Sequence, residues 1–200
     1  MCHMTMIKTY RRDADGVLHY REAWSEAGGV RTHEGKVGTK GSTRFHSSRS
    51  RTSPNNPTAT EFLRSFVETA AADGYHPIDL NDHAMAVLQI VLSSPDLSDP
   101  DDARLFEHAE DVLNEVLGWR GVGQCDGNDV GSNSAPGASQ PVLNLYCPVV
   151  DEAAGVSAVR RAARDLGIEQ PYRVGVRAPG EHTDYQLAWS PTRRDKSFSL

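Results

Sequence analysis

Residues 30–45 read Val-Arg-Thr-His-Glu-Gly-Lys-Val-Gly-Thr-Lys-Gly-Ser-Thr-Arg-Phe, and the first half of the chain is organised around them. Both ends of the stretch have the composition of a β-strand, and three glycines at three-residue spacing separate those ends. Glycines this dense inside a β segment indicate bulges or a close approach of the backbone. The stretch therefore predicts a hairpin made of one strand, a glycine-rich turn and a return strand.

Two segments with strand character precede this hairpin, at residues 6–10 and 18–24. The second alternates between apolar and polar side chains, although Glu22 interrupts its apolar face. Gly28 and Gly29 then supply a hairpin turn, because glycine reaches positive φ without a steric clash. We therefore expect an antiparallel sheet in the first part of the chain.

A polar loop over residues 47–56 leads to a predicted helix. Thr58 and Glu61 fit a capping box, in which the Thr hydroxyl and the Glu carboxylate satisfy amide groups at the helix start. Gly74 is expected to end the helix and Tyr75 to pack back on it. The apolar residues between these ends form one stripe for packing on a sheet, namely Ala59, Phe62, Leu63, Phe66, Val67 and Ala70.

Over roughly residues 5–78, the strands, the glycine-rich turn and the closing Gly74-Tyr75 resemble the WGR domain. That small module is named for a Trp-Gly-Arg motif and is best known from DNA-dependent poly(ADP-ribose) polymerases. The positions of the motif tryptophan, glycine and basic residue and of the usual continuation are held here by Glu34, Gly35, Lys36, Val37 and Gly38. In the polymerases the motif tryptophan helps to engage a DNA end. The resemblance implies a WGR-like antiparallel sheet with one packed helix, and contact with nucleic acid as its activity.

The second half of the chain predicts a different unit, beginning with an almost wholly apolar run at residues 84–92. A strand buried on both faces has this composition, and a helix is the competing interpretation. Helices are predicted after Asp99, with Pro100 in the first turn, and over residues 156–166. Strands are predicted at residues 121–127, 142–150 and 172–176, with one further strand at 185–189, a loop at 128–140 and a frayed segment after Pro191.

The order strand, helix, strand, strand, helix, strand is that of a ferredoxin-like βαββαβ sandwich, in which the first and third strands are central. This part also resembles uncharacterised bacterial ferredoxin-like α+β proteins. We therefore predict an α+β protein of two domains. The WGR-like domain occupies residues 1–78 and the ferredoxin-like domain residues 79–200.

The net charge of −6 is distributed unevenly along the chain. Residues 1–78 hold 11 Lys/Arg and 8 Asp/Glu, residues 79–130 hold 2 and 12, and residues 131–200 hold 8 and 7. The first part therefore offers a modest cationic surface and the centre a strongly acidic one, which suits different partners.

Six basic residues and one acidic residue fall within residues 31–51. A phosphate backbone is attracted to such a cluster, and the neighbouring glycines let backbone amides approach an oxyanion. The competing interpretation is a solvated hairpin whose charges discourage edge-to-edge strand pairing. The candidate nucleic-acid-binding residues are Arg31, Lys36, Lys40, Arg44, Arg49 and Arg51.

No motif in the chain predicts catalysis, a metal site or a cofactor. The eight histidines lack HExxH spacing and the three cysteines form no CxxC pair. Asp126 and Asp129 are expected to supply turn geometry, and Cys125 and Cys147 to act as small buried apolar residues. Unpaired thiols indicate a reducing cytoplasm, and neither a membrane span nor a secretory signal is expected.

The leading hypothesis is a non-enzymatic accessory protein of the cytoplasm that binds nucleic acid or another polyanion through the basic hairpin. The first alternative is a protein-interaction or immunity-type protein whose acidic 79–130 surface meets a basic protein partner. The second alternative is a small-ligand sensor that uses the exposed face of the ferredoxin-like sheet.

Overall fold

The computed structural model describes residues 6–50, 53–133, 139–180 and 184–200. The chain divides into two compact units, of which the first ends at Ile78 and the second begins at Asp79. Each unit contains one antiparallel sheet together with helix. The predicted α+β class is therefore confirmed.

The sheet of the first unit has four strands in chain order, each antiparallel to its neighbour. The predicted hairpin is present, since the third and fourth strands pair from Gly29 opposite Ser47 to Glu34 opposite Ser42. The elements of this unit are β1 (Met6–Arg12), β2 (Leu18–Glu26), β3 (Gly29–Lys36), β4 (Ser42–Ser47) and α1 (Ala59–Ala72).

Helix α1 begins and ends as its sequence predicts. The Thr58 side chain accepts a hydrogen bond from the Glu61 amide, and the Glu61 carboxylate accepts one from the Thr58 amide at 2.8 Å. At the other end Gly74 adopts a φ of +80°, and the Tyr75 amide donates to the Ala70 carbonyl at 2.8 Å. Tyr75 is buried. The capping box and the glycine stop therefore fix both ends of the helix.

Helix α1 lies on one face of this sheet, which we call the helix face of the first sheet. The Phe62 ring is 4.5 Å from the His46 ring, and Arg21 on β2 donates to Asp73 just beyond the helix. Side chains on a strand alternate between faces. Lys36 therefore lies on the helix face, whereas His33 lies on the opposite face.

The second unit contains a five-stranded sheet in the order β6-β7-β5-β8-β9, with every neighbouring pair antiparallel. Residues 84–91 form a strand, so the helical interpretation of this run is wrong. The elements are β5 (Ala84–Val91), α2 (Pro100–Gly118), β6 (Asn128–Asn133), β7 (Gln140–Val149), α3 (Glu152–Asp165), β8 (Tyr172–Arg177) and β9 (Gln186–Trp189), with a 3₁₀ turn at Leu80–Asp82.

The apolar core of this unit lies between the sheet and the two helices. Gly155 on α3 lies against the Val149 side chain, and the neighbours of Val149 on that face are buried. Among them Leu88, Leu143 and Leu145 on the sheet and Leu113 on α2 are fully shielded from solvent. The two most apolar strands are both interior in the sheet, where both of their faces are covered.

The strand predicted at residues 121–127 is wrong, because the second strand of this unit lies later, at Asn128–Asn133. Gly123 makes only a single bridge to β7, and the Cys125 amide donates to the side chain of Asn114 on α2 at 2.8 Å. The polar residues that favoured a loop at 128–140 instead meet polar partners, since Asp129 accepts from Asn144 across the strand pair at 2.8 Å. Residues 134–138 of that predicted loop lie outside the described residues.

The segment after Pro191 is not frayed as predicted. Phe198 is buried, and the Ser199 carbonyl accepts a hydrogen bond from Gln89 Nε2 at 2.8 Å. This contact could not be predicted from the sequence, because Phe198 is the one large apolar residue between Pro191 and Leu200 in an otherwise polar stretch. Among the described residues, no helix combines the length and apolar character that crossing a bilayer requires.

Candidate functional site

Five of the six candidate basic residues are described by the structure, and they differ in position and pairing. Arg31 lies on the face of the first sheet opposite α1, where Glu26 binds it through two hydrogen bonds of 2.9 and 2.6 Å. This interaction raises the pKa of Arg31 and lowers that of Glu26. Its charge is therefore balanced locally, and such a pair is a weak anchor for phosphate.

Arg49 is also engaged within the protein. Its Nη2 lies 3.3 Å from Glu61 at the start of α1, and its Nε donates to the Asn56 carbonyl at 3.0 Å. These bonds connect the loop after β4 to the helix. Arg51 lies outside the described residues.

The remaining three residues, Lys36, Lys40 and Arg44, form the group that we call the hairpin cations. They lie in the end of the β3–β4 hairpin that carries the turn, and all three are exposed. No described carboxylate lies within ion-pair distance of their charged groups, in contrast to Arg31 and Arg49. Exposed charges without a partner keep their full attraction for a polyanion.

The turn that carries these cations is held by a buried polar network beneath it. His33 is 1% exposed, and its Nδ1 hydrogen-bonds to Glu22, which is 3% exposed. Its Nε2 lies 2.6 Å from the Lys40 carbonyl. Both ring nitrogens therefore have polar partners, and the ring is held from two sides inside the unit. His33 thereby connects β2 to the backbone of the turn.

Two further side chains complete this network. Lys8 Nζ lies 3.2 Å from the second oxygen of Glu22, so that each carboxylate oxygen has a basic side chain beside it. The hydroxyl of the fully buried Tyr20 lies 2.9 Å from His33 Nε2 and donates to the Thr39 carbonyl at 3.3 Å. Two consecutive turn carbonyls are thus bound by side chains from the sheet, and the backbone of the turn at Thr39 and Lys40 is held in place.

The glycines of the hairpin are required by this close approach. Gly41 has a φ of +63°, and a Cβ placed on it would lie 2.3 Å from the Tyr20 hydroxyl and 2.4 Å from the Glu34 carbonyl. The prediction from glycine density therefore holds at this position.

The motif positions of the WGR resemblance occupy the end of β3 and the start of the turn. Glu34, which stands in place of the motif tryptophan, accepts from Arg21 Nε at 3.1 Å, and Arg21 also bonds to Asp73. Arg21 therefore compensates the negative charge that Glu34 brings next to Lys36. Val37 is buried. Gly35 lies near the end of β3, and Gly38 lies in the turn of the hairpin.

A cleft of about 530 Å³ opens on the helix face beside Arg44. Its walls come from α1 and the neighbouring strands and include the rings of Phe62, Phe66 and His46. Burial and the nearby Arg44 lower the pKa of His46, so its ring is neutral at pH 7. The cleft therefore combines aromatic surface with the positive charge of Arg44. Its lining also includes Arg21 and the two carboxylates that Arg21 bonds to, Glu34 and Asp73.

The acidic part of the chain is divided between structural and exposed carboxylates. Asp102 is fully buried and accepts from the amides of Ser93 and Ser94 at 2.7 and 3.1 Å. By contrast, three exposed carboxylates recur every four residues along α2 and form one stripe on its surface. These are Glu107, Asp111 and Glu115, which we call the acidic stripe.

The remaining candidate chemical groups are buried or engaged. Cys125 and Cys147 are both buried, and a hydrogen bond between their thiols lowers the pKa of Cys125 and raises that of Cys147. No cluster of three or more His, Cys, Asp or Glu residues with the geometry of a metal site occurs in the described part of the chain.

Sequence reasoning missed the Glu22–His33 network, although one signal pointed to it. Glu22 falls on the apolar face of a strand, where a carboxylate requires a buried partner. What the sequence lacked was the register that places His33 opposite Glu22.

Comparison with protein-family models, curated proteins and solved structures finds no match to this chain, so the WGR resemblance stays a prediction.

Proposed function

We propose that this protein is a non-enzymatic, cytoplasmic accessory protein that binds nucleic acid or a related polyanion through the hairpin cations. The observation that carries the proposal is the sorting of the basic residues. Lys36, Lys40 and Arg44 are exposed and have no carboxylate partner among the described residues, whereas Arg31 and Arg49 are paired. The polyanion-binding surface that we propose therefore contains fewer basic residues than the cluster predicted from the sequence.

Two features support this assignment further. The buried His33 and Tyr20 bind the carbonyls of Lys40 and Thr39, so the turn is ordered before a ligand arrives and less entropy is lost on binding. The aromatic cleft beside Arg44 offers surface for a base or sugar next to the phosphate contacts.

We also propose a WGR-like fold for the first unit and a ferredoxin-like fold for the second. Four antiparallel strands and one packed helix support the former. The latter is supported by the strand order, which places the first and third strands of the βαββαβ series in the interior of the sheet.

Replacing Lys36 and Lys40 together by alanine is expected to weaken binding of a short blunt-ended DNA duplex at low salt. Each lysine removed lowers the number of counterions that the DNA releases when the protein binds. The dissociation constant should therefore rise on the order of tenfold or more. Fluorescence anisotropy of a labelled duplex measures this change.

The matched control replaces Arg161 and Arg164, which are exposed on α3, by alanine. It changes the net charge by the same amount in the other unit, so it separates a local contact from a general charge effect. Equal weakening by both double variants would contradict the assignment to the hairpin.

The acidic stripe supports a second candidate function, the docking of a basic protein partner. Glu107, Asp111 and Glu115 are exposed and aligned on α2, and such a line of charge accelerates association with a cationic surface. Reversing the charge at Glu107 and Asp111 by lysine is expected to lower the association rate of such a partner at least tenfold at low salt. Surface plasmon resonance with the co-purified partner tests this, and an unchanged rate would remove the candidate.

A further inference from the structure

On the face of the second sheet that points away from α2 and α3, two residues of the chain's own last segment, Phe198 and Ser199, contact the strands. We call this face the outer face of the second sheet. Strand alternation places Val87, Gln89, Asn144 and Gly175 on this face, because their neighbours in the strands contact the helices. The third hypothesis from the sequence, a small-ligand site on an exposed sheet face, therefore meets a face that is already covered.

The outer face contains a slot for one aromatic ring. A Cβ placed on Gly175 would lie 2.6 Å from two atoms of the Phe198 ring, so only glycine leaves room for the ring there. The partner of Gly175 on β5 is the fully buried Val87, and the Tyr185 ring lies 6.0 Å from that of Phe198. Phe198 is 6% exposed in this slot.

Beside the slot, hydrogen bonds among Asp129, Asn144 and Gln89 orient the side-chain amide of Gln89 so that its N–H group donates to Ser199. Asn144 Nδ2 donates to Asp129 at 2.8 Å, and the Tyr146 hydroxyl donates to the same carboxylate at 2.7 Å. Burial and this bond raise the pKa of Tyr146, which keeps its proton. Asn144 Oδ1 in turn accepts from Gln89 Nε2 at 3.0 Å.

The Asp129 side chain accepts from Asn144 and thus sets the orientation of both amides. Gln89 Nε2 is left to donate to the Ser199 carbonyl at 2.8 Å, which is a bond to main chain and carries no side-chain preference. Gln89 Oε1 is buried and has no hydrogen-bond partner among the described residues. The outer face therefore offers one donor, Gln89 Nε2, that is bonded to Ser199, and one acceptor, Gln89 Oε1, that has no partner among the described residues.

Residues 191–200 engage this face at two adjacent positions. Phe198 is the only buried residue among them, and Ser199 provides the carbonyl. Lys196, Ser197 and Leu200 on either side are exposed. An ordered segment with two anchors loses backbone entropy along its whole length and gains contacts at only two residues, which makes it displaceable.

We propose that the outer face of the second sheet is a peptide-binding site, occupied in this structure by Phe198 and Ser199 of the same chain as an internal ligand. Its partner is an extended segment of another protein that carries an aromatic side chain for the Gly175 slot and a following carbonyl for Gln89. An amide N–H of the incoming peptide would also satisfy Gln89 Oε1. The proposal is independent of polyanion binding, which uses the first unit.

The experiment uses a fluorescein-labelled peptide of residues 190–200 and three forms of the chain: the full chain, a chain ending at Ser190, and the full chain with Phe198→Ala. A tethered segment competes at a high effective concentration. The labelled peptide is therefore expected to bind the shortened chain and Phe198→Ala on the order of tenfold more tightly than it binds the full chain. A peptide with alanine in place of its phenylalanine should not bind.

Circular dichroism establishes that each variant is folded. A folded shortened chain or folded Phe198→Ala chain that does not bind the peptide overturns the proposal. If neither variant folds, residues 190–200 are a structural part of the unit and the proposal is also overturned. Light scattering measures the oligomeric state of the full chain and of Phe198→Ala. If the full chain is a dimer and Phe198→Ala is a monomer, the outer face binds a second copy of this chain, which overturns the proposal of a peptide from another protein.

Discussion

Replacing Glu22 by alanine is expected to lower the free energy of unfolding of the first unit by about 3 kcal/mol, because it leaves the buried Nδ1 of His33 without the carboxylate that it bonds to. His33 is 1% exposed and keeps its second bond, to the Lys40 carbonyl, only while the ring is correctly placed. Lys8 loses its partner as well. Such a loss is a large fraction of the stability of a small domain.

Urea unfolding measures this effect in a background with Trp119 and Trp189 replaced by phenylalanine, so that Trp24 alone reports on the first unit. The matched control is Glu34→Ala on the neighbouring strand. Glu34 is exposed, and its partner Arg21 keeps a second carboxylate, so this loss should stay below about 1 kcal/mol. Equal losses for the two variants would show that the buried pair does not support the sheet.

Replacing Gly41 by alanine is expected to cost about 3 kcal/mol or more. The positive φ alone costs about 1–2 kcal/mol for a residue with a Cβ, and the new methyl group would overlap the Tyr20 hydroxyl and the Glu34 carbonyl. Overpacking against atoms that cannot move adds about 1–3 kcal/mol. The variant should also weaken polyanion binding, because the turn that carries Lys40 must shift.

The same urea titration, together with the duplex-binding assay, checks this prediction. Gly16→Ala is the control, since Gly16 has a φ of +80° but no atom within 4 Å of the added Cβ. Gly16→Ala should lower the free energy of unfolding by only the about 1–2 kcal/mol that the positive φ costs, and it should leave duplex binding unchanged. If Gly41→Ala costs no more than Gly16→Ala, the close contact with Tyr20 is not a constraint on the fold.

The elements that sequence reasoning predicted best are those with local physical causes. The capping box of Thr58 and Glu61 and the stop at Gly74 depend on residues a few positions apart, so they can be read without a structure. The apolar run at residues 84–92 likewise forms a strand in the sheet interior.

The elements that it missed depend on partners far along the chain. Residues 128–133 have a loop-like composition, and they form a strand because Asn144 and Tyr146 on β7 supply polar partners for Asp129. Phe198 becomes buried because Gly175, more than 20 residues earlier, leaves a slot for its ring. Composition within a window does not contain either contact.

The candidate site was predicted as a cluster and could not be sorted from the sequence. Arg31 and Arg49 are as basic as Lys36 and lie in the same stretch, but the strand register and the loop place Glu26 and Glu61 against them. Among the described residues, pairing therefore reduces the cluster to the hairpin cations. The buried network below the turn was equally invisible, because it needs His33 opposite Glu22.

The salt dependence of duplex binding tests the polyanion assignment most directly. Three phosphate contacts predict that the logarithm of the association constant falls with the logarithm of the salt concentration with a slope of about −3, and that Lys36→Ala with Lys40→Ala brings this slope to about −1. A slope near zero in the unmodified protein, or the same slope in the double variant, would contradict the account.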